Sequence, residues 1–298
     1  MKITKLNKLS KIYYIKPNYH IEKLSNIFTI YEIRQETEGL IKRLYIQLYR
    51  KPIHMMASII QPLIWLILFG ALFNNAPINL FGQYEIKYPV FLSSGIIIFT
   101  SFTSAINTGL PIIFDREFGF FNRILISPII YKNSLLFSLI LYTWLTSILQ
   151  VFIITIFSIY IIKNIILINY IYIIIFTSTL IIIQIASISI SLAFILPGHI
   201  EFLAFTLIIN LPTLFSSTAL APLSFMPHWL QLLTCINPLT YAIEIIRYIY
   251  TYNNSIDKSY IIHTNWFNIN ILETIIILIT MNFISLMIIK KVLKYKYN

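Results

Sequence analysis

Residues 169–194 read NYIYIIIFTSTLIIIQIASISISLAF. This run holds no Asp, Glu, Lys or Arg. A helix of about 20 residues, at about 1.5 Å per residue, crosses the ~30 Å hydrocarbon core of a bilayer. The stretch therefore reads as a transmembrane helix. Five further runs read the same way: 55–73, 89–110, 134–159, 203–221 and 270–289. Among the six, the only acidic or basic residue is Glu273. It lies one turn from the start of the last run, where its carboxylate can reach the interface. Composition agrees. The 298 residues are 58% hydrophobic and 11% charged, with a mean hydropathy of +0.79. A soluble domain of this length would carry far more charge. The ten-residue alternating segments of a membrane β-barrel are missing. The fold class is an all-α polytopic membrane protein with six transmembrane helices.

Charge sets the expected orientation. Of the 22 Lys and Arg, 18 lie in the N-terminal segment up to His54, the 111–133 loop and the C-terminal tail. Only Lys87, Lys163, Arg247 and Lys258 fall on the opposite side. The positive-inside rule puts both termini and the 111–133 loop on the cytoplasmic or stromal side. The net charge of +11 is thus explained by topology, and nucleic acid is not an expected partner. No secretory signal peptide is expected, because the first long apolar run follows about 50 basic and polar residues. Heavy use of Ile, Asn, Lys, Tyr and Phe implies AT-rich codons, which fits an organellar or reduced bacterial genome.

Two domains follow. Residues 1–51 form an N-terminal segment, weakly ordered up to residue 36, and 52–296 form the membrane domain. From Thr37, Leu40, Leu44 and Leu48 recur every fourth residue beside Lys42, Arg43, Arg50 and Lys51. This spacing predicts an interfacial amphipathic helix over about 38–51, or else a solvated lead-in. Pro52 ends it.

Residues 114–128, FDREFGFFNRILISP, interrupt the apolar chain with Asp115, Arg116, Glu117 and Arg123. Helical spacing places Phe114, Phe118, Phe121 and Leu125 in one stripe and the charges on the opposite arc. The stretch reads as a short helix between Pro111 and Pro128, or as a solvated loop that enforces topology. Gly119 costs about 1 kcal/mol of helix propensity relative to Ala, which close approach of another backbone would justify. On the opposite side, Asn237-Pro238 is a helix start. With Pro222 and Pro227 upstream, it predicts an outward-facing hairpin of two short helices before the last span, or an ordinary loop. Glu244 and Arg247 can pair at i, i+3. Trp229 and nearby tyrosines suit the interface.

The two segments together resemble the ABC-2 type transporter permeases. The first, REFGFFNRILISP, is similar to that family's acidic-basic-Glu-x-Gly helix leading to an Ile/Leu pair and Ser/Thr-Pro. Asn122 stands where relatives often carry an acid. The second, PLSFMPHWLQLLTCINPLTY over 222–241, resembles the outer segment. There Pro-x-Trp-Leu (Pro227, Trp229, Leu230) leads to Asn-Pro-Leu-Thr-Tyr (Asn237 to Tyr241), followed by Arg247. The resemblance extends over roughly 38–296 and is closest to drug- and polysaccharide-exporter permeases, including plastid-encoded ones.

It implies the membrane subunit of an ABC exporter working by alternating access. It also implies a homodimer in the lipid bilayer and a coupling helix (Asp115, Arg116, Glu117, Gly119, Arg123) that docks on a separate ATPase subunit. A plastid membrane is expected, with a bacterial plasma membrane as the alternative. The chain contains no G-x-x-x-x-G-K-[ST] loop, and its seven glycines are far apart. ATP is therefore expected on the partner subunit, with no cofactor on this chain and no enzyme activity of its own.

An ion-coupled secondary transporter would need ionisable residues near the bilayer midplane, and these spans lack them. A membrane-embedded enzyme would need a reactive cluster, and the five histidines are scattered without metal-ligand spacing. Among the few polar residues inside spans, Asn210 is a candidate lining of the transport path. A mostly apolar path suits a lipid-like or amphipathic substrate.

The orientation has a direct test. In a Cys235→Ser background, cysteines at Phe120 and Ser255 should be labelled by membrane-impermeant maleimide from opposite sides. Same-side labelling would overturn the six-span arrangement.

Overall fold

The computed structural model describes residues 26–50, 52–73, 88–121, 123, 132–162, 171–251, 262–263 and 268–297. The long apolar runs are helices. They are α2 (Pro52–Leu72), α3 (Tyr88–Ile106), α5 (Lys132–Ile162), α6 (Ile171–Ile195) and α10 (Ile271–Tyr297). Each is long and apolar enough to cross a membrane. Between and around them lie α1 (Asn26–Arg50), α4 (Leu110–Glu117), α7 (His199–Phe215), α8 (His228–Ile236) and α9 (Pro238–Thr251). A two-residue antiparallel ladder, Ile262–His263 with Asn268–Ile269, precedes α10.

Helix α3 is the axis of the bundle. It packs against α2, α5, α6 and α9 and is buried nearly all round. The outer faces of α2 and α10 expose Ile64, Leu68, Ile276, Phe283 and Met287, as lipid-facing helices do. Two apolar cores result. The larger joins Phe91, Ile97 and Phe99 of α3 to Ile154, Ile181, Leu214, Ile246 and Leu278. The smaller gathers Leu44, Ile113, Phe121, Leu139, Phe194, Phe202 and Ile289 at the end where α1 and α4 lie. Hydroxyls inside the spans mostly donate to their own helix. Ser94 bonds the Phe91 carbonyl, Thr100 that of Ile97 and Thr155 that of Val151, the usual way a hydroxyl is satisfied in hydrocarbon.

The structure departs from the sequence reading in three places and agrees with it at the kinked pair. Helix α1 begins at Asn26, about three turns before the expected start. Its first half carries its own apolar residues (Phe28, Ile30, Ile33) and an Arg34–Glu38 ion pair at i, i+4. The described residues do not form one helix over 114–126: Phe120, Phe121 and Arg123 are helical again beyond a turn at Phe118 and Gly119. Instead α4 continues span two through a 3-10 turn at Asn107–Gly109 and stops at Glu117. Gly119 takes φ = +70°, a left-handed turn that ends the helix and that other residues adopt at a cost. Phe114 and Phe118 still stack, with ring centroids 6.2 Å apart, but Phe121 turns inward onto Phe194. Leu125, Ser127 and Pro128 lie outside the described residues.

The fifth span also differs. Helix α7 ends at Phe215, past Pro212, and residues 216–222 turn back into the bundle. Last, α8 and α9 meet at 89°. The expected kinked pair is present, and the two helices together have the length and apolarity of one bent span.

A close approach holds the 216–222 turn. A Cβ on Gly95 of α3 would sit 2.6 Å from both the Cα and the carbonyl oxygen of Ala219. Backbone cannot yield as a flexible side chain can. Gly95→Leu should destabilise the protein by about 1–3 kcal/mol through overpacking, read as a lower unfolding midpoint in detergent. Gly39→Ala on α1, where a Cβ meets nothing within 4 Å, should be neutral or stabilising by up to about 1 kcal/mol.

Candidate functional site: a charged clip and a bent helix pair

Two places concentrate polar chemistry, one at each end of the bundle. At the basic end, the seating of α4 begins with a glycine. The Gly109 N–H donates to Ser189 Oγ on α6 at 2.9 Å, and Ser189 Oγ–H donates to the Ile106 carbonyl at 2.6 Å. A Cβ on Gly109 would meet the Phe202 ring and the Ser189 carbonyl oxygen at 2.8 Å. Pro111 then sits in the first turn of α4, where its missing N–H costs nothing.

The three consecutive charges that follow each reach a different helix. Asp115, 8% exposed, accepts from Arg43 Nη2 of α1 at 2.7 Å. Arg116 donates to the Ala193 and Leu196 carbonyls at the C-terminal end of α6, where a cation satisfies orphan carbonyls and opposes the helix dipole. Glu117 accepts from the backbone N–H of His199, at 2.7 Å, and faces His199 Nδ1. His199 opens α7, and Gly198 before it offers no side-chain cap. The carboxylate that caps α7 is thus supplied from another helix. A Cβ on Gly198 would lie 2.7 Å from Glu201 Oε2 and 2.9 Å from Glu117 Oε1, so a side chain there would push on the capping carboxylate.

Asp115, Arg116 and Glu117 thus form a clip binding α4 to α1, α6 and α7. Of the charges expected to face outward, Asp115 is buried and Arg116 partly so, while Glu117 and Arg123 are exposed alongside Phe118 and Phe120. A Cβ on Gly119 would meet nothing within 4 Å. Among the described residues no close backbone contact accounts for the glycine, and its φ does.

At the opposite end, Pro227 precedes α8 and Trp229 is exposed on it. Asn237 is the joint of the bent pair. Its Oδ1 accepts the Leu239 N–H at 3.0 Å, capping α9, and its Nδ2 donates to the Thr213 carbonyl at 2.9 Å and the Ser216 carbonyl at 3.1 Å. One amide side chain replaces the hydrogen bonds that two chain breaks, the end of α7 and the start of α9, leave open. Pro238 takes the first helical position, and Tyr241 Oη–H donates back to the Cys235 carbonyl at 2.6 Å.

Arg247 has no exposed surface. It pairs with Glu244, donates to the Thr218 carbonyl at 2.8 Å, and its guanidinium lies 3.5 Å from the Phe91 ring centroid. Counted in the sequence as an outer-side charge, it is a core residue that ties α9 to α3 and to the 216–222 turn. Asn210 lies on α7, partly buried, with its Oδ1 buried and lacking a partner. Among the described residues, no three His, Cys, Asp or Glu could hold a metal ion.

Arg43, Ser189, His199, Phe91 and Thr218 were not legible as site residues. Each acts through a contact more than 25 positions away in the chain, and only the i, i+4 spacing of α1 hinted at Arg43.

Removing one member of the buried ion pair strands the other. Arg247→Met should cost about 3–5 kcal/mol, seen as a fall in the unfolding midpoint. The double variant Glu244→Leu with Arg247→Met should recover much of that loss. A double variant as unstable as the single one would show that contacts to Phe91 and Thr218, not the charge pair, carry the effect.

Comparison with known proteins agrees with this arrangement. The family model described as ABC-2 type transporter matches residues 35–251, which include both the clip and the bent pair. A protein of Porphyra purpurea named "Putative transport permease ycf38" is 48% identical over 268 residues, covering 90% of this chain and 92% of that one. The Cyanophora paradoxa protein of the same name is 45% identical over 273 residues, covering 92% and 93%. A multi-pass chain with five long apolar helices, a bent helix pair and this family match over most of its length is a transport permease, and it belongs to the ABC-2 type transporter family.

Proposed function

We propose that this chain is the membrane subunit of an ATP-driven exporter. Two copies form the path for a lipid-like or amphipathic substrate, and a separate ATPase subunit drives them. The observation that carries the reading is the clip. Asp115, Arg116 and Glu117 join α4 to α1, α6 and α7, so force applied at the foot of α4 is shared by three helices at once. Beyond it, Phe118 is 79% exposed and Arg123 is exposed. A large apolar ring beside an exposed cation is a surface that a protein partner can use.

The proposed cycle follows from that connection. ATP closing the ATPase pair would displace the α4 feet. The displacement would reach α7 through Glu117, and from α7 the turn that rests on Gly95 and Arg247. The bundle would exchange an opening on one face for an opening on the other, with hydrolysis restoring the first state. The basic residues put both termini on the ATPase side. The AT-rich composition and the algal relatives support a plastid membrane.

Phe118→Glu combined with Arg123→Glu should abolish co-purification of an ATPase subunit with the tagged chain while leaving membrane insertion and thermal unfolding unchanged. Recovery of the ATPase at the original level would overturn docking at this foot. Glu117→Gln should behave differently. It should retain the ATPase but lower ATP-driven transport, because the carboxylate acts inside the chain as the cap of α7.

A further inference from the structure

One cavity carries an inference. It has a volume of 410 Å³ and lies among α1, α2, the α3–α4 junction and α5. That is within the range of about 300–1,000 Å³ typical of small-molecule sites. One part of its wall is apolar, with Leu44, Leu48, Met55 and Leu110, and Phe118 and Phe120 stand at its rim. The other part is polar, and its hydroxyls are largely bonded back to their own helices. Ser58 donates to the Met55 carbonyl, Thr108 to that of Ala105, Thr143 to that of Leu139 and Thr146 to that of Tyr142. Gln150 gives one amide hydrogen to Ser58 Oγ at 2.9 Å.

The lining mixes acceptors with donors and carries no cation: Gln150 Oε1 and the hydroxyl lone pairs stand beside the amides of Gln47 and Asn107 and the phenol of Tyr142. Gln150 is 5% exposed, and its Oε1 is buried with no partner. A buried amide oxygen in that state costs free energy until a donor reaches it. The back-bonded hydroxyls keep their second lone pairs. Asp115, at the mouth, is matched by Arg43 at 2.7 Å, so the entrance has no unbalanced charge to favour an ammonium ion. A phosphate would need a cation, and the only charged side chain lining this cavity is the acidic Asp115.

We propose that this cavity binds an uncharged amphiphile whose headgroup carries several hydroxyls. The headgroup donates to Gln150 and the threonines, and the acyl chains leave along Leu48, Met55 and Phe118 toward the bilayer. The site borders the clip at Asp115 and the foot at Phe118, but binding there does not depend on an ATPase partner. A second chamber of 370 Å³ adjoins it, sharing Gln47, Asp115 and Phe120, and is lined by Lys42, Arg43 and Arg50. That chamber supplies the competing outcome, an anionic headgroup.

The test uses the full chain in lauryldimethylamine oxide micelles, which carry no sugar. Native mass spectrometry compares dioleoyl monoglucosyl glycerol with dioleoyl phosphatidylcholine and dioleoyl phosphatidylglycerol. The glucolipid should be retained as one molecule per chain, with about a tenfold preference over phosphatidylcholine. Gln150→Leu should remove the preference with an unchanged unfolding midpoint. If that variant does not fold, Gln47→Leu, on the exposed face of α1 at the cavity mouth, decides, and wild-type retention by it overturns the site. Equal retention of the three lipids, or preferred retention of phosphatidylglycerol, also overturns it. The second result would assign binding to the basic chamber.

Discussion

Hydrocarbon forms no hydrogen bonds, and this chain is organised by that fact. Each polar group that enters the bilayer has to bring its partner or meet one inside. The long helices satisfy their own backbones, and their hydroxyls fold back onto carbonyls one turn earlier. Where the helices break, single side chains stand in for water. Asn237 serves the joint of the bent pair, Ser189 serves the start of α4, and Glu117 serves the start of α7. The polar residues of the membrane domain mark its breaks, and the breaks are where a bundle of helices can change shape.

The same constraint explains what the sequence made legible. Spans were readable because length and absence of charge are local properties, and five long helices fall on five of the six predicted runs. The bent pair was readable because Pro227 and Asn237-Pro238 carry their own turn chemistry. The N-terminal limit of α1 was not, since its first half shows weaker periodicity than the Leu40–Leu48 stripe. Nor was the end of α4. An apolar stripe at Phe114, Phe118 and Phe121 continues through Gly119 on paper, but the backbone turns left-handed there and sends Phe121 to Phe194.

Of the candidate site, the sequence showed which residues were unusual but not where they pointed. Asp115, Arg116, Glu117 and Arg247 are conspicuous charges in an apolar chain, and an outward orientation is the simplest assumption. Most of them turn inward because each has a complement elsewhere: a guanidinium on α1, the carbonyl end of α6, the amide end of α7, and an aromatic ring and carbonyl beside the 216–222 turn. Those complements are backbone termini and a ring, which carry no charge signature in a sequence. The 89° bend and the clip lie at opposite ends of α7, so this short helix joins the two polar regions.

The burial of Arg247 has a consequence for how the protein is made. A guanidinium costs several kcal/mol to place in hydrocarbon without partners. The Phe91 ring and the Thr218 carbonyl that receive it both precede it in the chain, so they leave the ribosome first. Synthesis in the N-to-C direction therefore prepares the receptor before the cation arrives. Only Glu244, three residues upstream, accompanies Arg247 into place. The bent pair need not enter the lipid by itself, because it can insert against a surface that is already assembled. A permuted chain beginning at α8 would lose that order and expose the charge to lipid before α3 existed to receive it.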